Sequence, residues 1–189
     1  MSQQPSEIMM ALYHGKRDRV NELLASGIEL NVYEAAATGQ TERLRELIAA
    51  DPSLVNTHSV DGFTPLGFAV FFGRPETVDA LLEAGADVNL ASRESMKVAP
   101  LSSASAAGQY EIAKKLIAHG ANVNTRASSD FTPLHESAAS GRIEFATLLL
   151  EHGADVNAKT AEGKTPLDYA REHDRTEMVE LLRKHVGDE

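Results

Sequence analysis

The sequence contains no cysteine, which excludes disulfides, thiolate metal sites and a cysteine nucleophile together. Tryptophan is absent and aromatics make up only 5% of the chain, so the position of each ring is informative. Lysine and arginine are scarce, 18 against 28 acids, for a net charge of −10. Basic residues gather no further than the pairs Lys16-Arg17, Lys114-Lys115 and Arg183-Lys184, each with an acid close by. No stripe is therefore expected to hold a phosphate backbone, and nucleic acid is not an expected partner. No apolar run approaches the roughly 18 residues of a membrane helix. Residues 1–7 lack the basic region and apolar core of a secretory signal, and Ser2 stands where myristoylation needs glycine. A soluble cytoplasmic protein without membrane association is expected.

What is present is 189 residues, 42% of them hydrophobic and 24% charged. That length suits one domain or one array of small repeats, and it can bury roughly 70% of its unfolded surface. The array is the reading that the sequence favours. The prolines of a recurring x-Pro-Leu, Pro65, Pro100, Pro133 and Pro166, lie 35, 33 and 33 residues apart. The asparagines of a recurring Val-Asn, Asn56, Asn89, Asn124 and Asn157, lie 33, 35 and 33 apart. Apolar pairs keep step between them: Leu23-Leu24, Leu47-Ile48, Leu81-Leu82, Leu116-Ile117 and Leu149-Leu150. One period shared by independent markers is the signature of a repeat protein.

Within a period the chemistry reads helix, turn, helix, loop. Thr64 supplies an N-cap and Pro65 a first helical residue whose missing N–H costs nothing. Gly73 suits the left-handed position after a short helix. Val78, Leu81 and Leu82 then line one face of a second helix, Gly85 ends it, and Ala86-Asp87-Val88-Asn89 opens a turn-rich stretch able to form a hairpin. No unit has the apolar surface to fold alone, so neighbours must stack.

These residues resemble the ankyrin-repeat family. The best match is Phe131-Thr-Pro-Leu-His-Glu-Ser-Ala-Ala-Ser-Gly141, followed by Leu148-Leu-Leu-Glu-His-Gly-Ala-Asp-Val-Asn157. The resemblance covers nearly the whole chain and implies an all-α fold, a solenoid of stacked helix–turn–helix units with hairpin loops, forming one domain over 1–189. Six units are expected, at about 5–31, 32–56, 57–89, 90–124, 125–157 and 158–189. The second is short, with 25 residues from Asn31 to Asn56, no room for a hairpin, and Asp51-Pro52 where a glycine turn is usual. A missing hairpin there leaves a notch that Tyr13, His14 and Tyr33 are placed to line. The fourth has Ala99 in place of the capping threonine and two extra residues around 92–97. The sixth carries Asp174 at the glycine position and Arg183 at the second leucine, a polar outer face suited to a terminal unit. The inter-loop histidine of the family is present at His135, while Gly67 and Asp168 replace it elsewhere.

Catalytic constellations are missing: the sequence has no Gly-x-Ser-x-Gly elbow, P-loop or Gly-x-Gly-x-x-Gly. His119 and His152 fall in the last turn of outer helices, where imidazole suits the dipole. Glu172, His173 and Asp174 are consecutive on a helix and point apart, so they are not read as metal ligands. The chain is thus expected not to be an enzyme and to need no cofactor or metal.

In the family, partners meet the hairpin tips and the inner face of the first helices. The matching hairpin position, just before the capping residue, is Phe63, Val98, Phe131 and Lys164. The two positions before the first-helix glycine include Tyr13-His14, Phe71-Phe72 and Ala106-Ala107. Four of six phenylalanines fall in 63–72, and small or apolar residues (Met96, Val98, Ala106, Ala107) follow in the next unit. Phe71, Phe72, Phe63, Met96, Val98, Ala106, Ala107, Phe131, Tyr13 and His14 are the expected surface for a protein partner. The competing reading packs Phe63 and Phe68 into the fold itself, each gaining roughly 1.5–3 kcal/mol by burial. The function expected is a protein–protein interaction module acting as scaffold, adaptor or inhibitor. The alternatives are self-association through Phe71 and Phe72, with the monomer otherwise expected, or an enzyme using concave-face acids and histidines. The resemblance also marks Asn89, Asn124 and Asn157 at a position that is hydroxylated in some members of the family.

Overall fold

The structure is a computed structural model that describes residues 5–93 and 97–186. The chain divides into two compact units, residues 1–94 and 95–189. Among the described residues there are twelve α-helices, two short 3-10 helices and no β-strand, the all-α fold that the repeats imply.

The first unit holds α1 (Glu7–Tyr13), α2 (Arg17–Ala25), α3 (Val32–Thr38), α4 (Thr41–Ala50), a 3-10 helix (Pro52–Asn56), α5 (Pro65–Phe71) and α6 (Pro75–Glu83). Helices of 7 to 10 residues are marginal in isolation, so packing must hold them. α1 packs on α2, α3 on α4 and α5 on α6, and the first helices also stack on one another, α1 on α3 and α3 on α5. α3 permits this close approach because Ala35, Ala36 and Ala37 sit at its centre, each fully buried. Leu44, Leu66, Phe68 and Leu81 complete the core.

The second unit repeats the plan with α7 (Pro100–Ala107), α8 (Tyr110–Ala118), a 3-10 turn (Ser128–Asp130), α9 (Pro133–Ser140), α10 (Ile143–Glu151), α11 (Pro166–Glu172) and α12 (Thr176–Val186). Leu101, Leu116, Leu134, Leu149, Met178 and Leu182 are buried in its core.

Helix starts follow the sequence chemistry. The hydroxyls of Thr64, Thr132 and Thr165 each accept an N–H from three residues on, with proline next in line. Ala99 has the same extended backbone but no side chain to offer α7. Asp174 adopts φ 55°, a left-handed value that an L residue tolerates at a cost, where the equivalent Gly141 adopts φ 71°.

The short stretch from Asn31 to Asn56 is organised by two caps. Asn31, lacking a hairpin to enter, becomes the N-cap of α3: its Oδ1 accepts from the N–H groups of Tyr33 and Glu34. Glu34 completes a capping box by accepting the Asn31 N–H, and is buried in doing so. After α4, Asp51 caps the 3-10 helix through the Ser53 N–H, which delivers Asn56 to its place. Asn56 Nδ2 there donates to the Gly85 carbonyl while its Oδ1 accepts the Asp87 N–H. Asn124 makes the same clasp on Gly153 and Asp155 in the second unit.

Hairpin-type turns close where the sequence places them, Ser59 N–H to Phe63 carbonyl, Ala127 to Phe131 and Thr160 to Lys164. Successive loops are joined by the Arg93 N–H on the Gly62 carbonyl, and the Ala161 N–H on the Ser129 carbonyl.

Candidate functional site

Tyr13, His14, Phe63, Phe71 and Phe72 belong to the first unit, and Val98, Ala106, Ala107 and Phe131 to the second; Met96 lies outside the described residues.

Helical spacing gives α5 two stripes. Leu66, Ala69 and Val70 face inward and are buried. Phe68, Phe71 and Phe72, at i, i+3 and i+4, form an aromatic stripe beside them. Phe68 is fully buried and is the anchor of a connected set of rings. Phe63 lies 5.3 Å from it, Tyr33 6.2 Å edge-on and Phe72 6.4 Å stacked. Phe71 meets Phe72 edge-on at 5.0 Å and Phe63 at 6.2 Å, and Tyr13 reaches Phe72 at 5.9 Å. Rings in these geometries gain about 0.5–1.5 kcal/mol per pair beyond burial. The gain is spent unevenly in exposure: Phe63 and Phe72 are half-buried, whereas Phe71 is 52% exposed and Tyr13 40%.

Four of the five first-unit residues thus share one surface. His14 stands apart, its Nδ1–H donating to the Met10 carbonyl at 2.7 Å at the end of α1. The Tyr13 hydroxyl donates to Asp61 Oδ2 at 3.0 Å. Partial burial, then this bond and the Asp61 charge, push the Tyr13 phenol above the ordinary tyrosine range. Tyr33 and Asp61 line a groove of about 300 Å³ with Met9, Ser59 and Val60. Tyr13 and His14 are not in its wall; Tyr33 is, with its hydroxyl held by Thr57 Oγ1.

In the second unit, Ala106 and Ala107 are exposed at the end of α7, and Val98 is half-buried. Phe131 is half-buried against His135 (5.2 Å) and, edge-on, Tyr169 (5.0 Å). Tyr169 was not singled out by the repeat pattern, because its partners come from an adjacent repeat. His135 is fully buried. Its Nδ1 accepts the Thr132 N–H, so its Nε2–H donates to the Lys164 carbonyl at 3.1 Å, a link between consecutive loops. Burial depresses its basicity more than the Lys164 carbonyl restores it. Glu172 is engaged by Lys164 Nζ at 2.9 Å rather than by a neighbour on its own helix. Among the described residues no three His, Asp or Glu side chains are grouped to hold a metal ion, and no helix is long and apolar enough to cross a membrane.

Comparison with known proteins adds a family. The family model for ankyrin repeats (3 copies) matches residues 8–92 and 101–189. The chain is 39% identical over 77 residues to the DNA-binding protein RFXANK of Homo sapiens, covering 41% of this chain and 30% of that protein. It is 38% identical over 98 residues to the probable E3 ubiquitin-protein ligase XBOS31 of Oryza sativa subsp. japonica, covering 51% and 22%. It is 36% identical over 97 residues to inversin of Gallus gallus, covering 51% and 9%. The matches therefore span at most 30% of the length of these curated relatives.

Proposed function

Because the chain belongs to the ankyrin-repeat family, whose repeats are in general protein–protein interaction modules, we propose that it is a non-enzymatic binder of one protein partner in the cytoplasm. The partner docks on the concave surface that the first helices and loop tips of such repeats supply. In the first unit the contact is centred on Phe71 and Phe72, with Phe63 and Tyr13 beside them and His14 at the margin. In the second it uses Val98, Ala106, Ala107 and Phe131.

The observation that carries this reading is the exposure of Phe71. A ring left 52% exposed on a cluster anchored by a fully buried Phe68 is held rigidly, with little ordering entropy to lose on association. Exposed aromatics of this kind are the usual centres of binding energy.

Affinity capture with wild type and Phe71→Ser, after circular dichroism shows equal helicity, tests the reading. A partner bound directly by wild type is expected to bind the variant about thirtyfold more weakly, the equivalent of about 2 kcal/mol. Equal binding by both moves the contact off the aromatic cluster. Light scattering addresses self-association: a dimer abolished by Phe71→Ser would make a second copy the occupant of this face.

A further inference from the structure

A cavity of about 660 Å³ in the first unit lies where three helices begin, walled by Lys16 and Arg17 at the start of α2, Gln40 before α4, and Arg74 before α6, with Thr38 and Phe72 beside them. None of these helices has a side-chain cap; the first N–H of α2 and of α4 is taken by the Gly15 and Gly39 carbonyls, α6 begins with Pro75, and the acids of the three first turns, Asp18, Glu42 and Glu76, are not in the cavity wall. Three cations share the wall and no carboxylate does. In a chain with 28 acids against 18 bases, cations are expected to find acids, and Arg19, Arg43 and Arg45 of this unit do. Among the described residues Lys16, Arg17 and Arg74 have no ion pair. Arg74 is fixed instead by its Nε–H on the Ala37 carbonyl at 2.9 Å. Partial burial and then the charge of Arg17 lower its basicity, so the two cations lie close enough to interact.

The second unit supplies an internal comparison. Arg142 and Arg175 make the same clasp, on the Ser105 and Ala139 carbonyls, so the arginine alone is a structural device of the repeat. The cavities beside them are smaller, about 370 and 190 Å³, and each has a glutamate in its wall, Glu144 and Glu177. Beside Arg74, among the described residues, the cavity is larger and includes Lys16 and Arg17, while the equivalent acid, Glu76, is not in its wall.

We propose that the Lys16–Arg17–Arg74 cavity is a binding site for a phosphate group. A phosphate dianion offsets two of the three positive charges, while a carboxylate offsets one. The guanidinium groups of Arg17 and Arg74 and the Lys16 ammonium supply the donors that its oxygens accept. The site is independent of the proposed aromatic contact, and its test leaves Phe71 untouched.

The test is NMR titration of the whole chain with inorganic phosphate, against sodium chloride and sodium acetate at matched ionic strength. The amides of residues 17–19 and 41–43 and the Arg74 Nε–H are observed. Saturable shifts are expected with phosphate at millimolar concentration or below, and at least tenfold weaker binding in Arg17→Gln and in Lys16→Gln. Both residues are exposed, so these variants keep the fold, which circular dichroism checks. Arg74 is left alone because it also ties α6 to α3. A serine-phosphorylated peptide binding tighter than inorganic phosphate would identify the phosphate as partner-borne, and equal binding would identify a free anion; both support the site. Shifts that follow chloride or acetate equally, or that survive both substitutions, would overturn it.

Discussion

The Tyr13 hydroxyl and the Asp61 carboxylate meet at 3.0 Å although 48 residues separate them. The bond fastens the end of α1 directly to the loop before α5 and fixes the Tyr13 ring against Phe72.

Tyr13→Phe tests that fastening. Loss of the hydroxyl is expected to cost about 0.5–1 kcal/mol, at the low end for a charged acceptor because the pair is partly exposed. The folded state raises the Tyr13 pKa, so its neutral form is the stabilising one. That stability is fully present below the ordinary tyrosine pKa of about 10 and is lost as pH rises beyond it toward the folded value. Urea unfolding at pH 8 and above pH 10 should show a smaller alkaline loss in Tyr13→Phe than in wild type.

His135 gives the opposite sign. Its basicity is depressed on folding, chiefly by burial, so its stabilising form is again neutral but is lost as pH falls. The contribution is complete above the unfolded histidine pKa of about 6.5 and declines below it toward the folded value. His135→Ala is expected to cost roughly 2–3 kcal/mol at pH 7.5, since it strands the buried Thr132 N–H and the Lys164 carbonyl. Urea midpoints at pH 7.5 and 5 should converge for wild type and variant as the acid removes what the mutation has already removed.

The start of α7 can be improved. Ala99 has φ −76° and ψ 155°, close to the −81° and 163° of the capping Thr64. Both positions are buried to a similar degree. Three residues on, the Ser102 hydroxyl is buried without a hydrogen-bond partner among the described residues. Ala99→Thr should cap α7 through the Ser102 N–H and raise stability by about 1 kcal/mol, read as a higher thermal midpoint with unchanged circular dichroism.

Helix pairs were legible because each depends on local chemistry: Thr-Pro at the start, glycine at the end, an apolar face between. So was His135, whose partner recurs one period away. The fate of Asn31 was not. By spacing it belongs with Asn56 and Asn124, yet without a hairpin ahead of it the side chain turns to cap α3. Sequence placed Phe71 and Phe72 on a surface, but not the connection to Tyr33 through Phe68 or to Tyr13 through Phe72, because those partners lie on α3 and α1. Lys16-Arg17 read as an ordinary surface pair, and only the fold brings it to Arg74.

The clasps between repeats also set a pace. Arg74 reaches Ala37 over 37 positions, Arg126 reaches Lys159 over 33, and His135 reaches Lys164 and Asn124 reaches Gly153 over 29. Each closes a loop of about one repeat, and the entropy of closure grows only with the logarithm of that length. Assembly can therefore begin at any helix pair and zip to its neighbour without a long search, the kinetic regime of low contact order. Tyr13 to Asp61, over 48, closes the longest of these loops, at an entropic cost only slightly above the others. It gives the first unit one tie that reaches beyond the nearest helix pair, from α1 to the loop before α5.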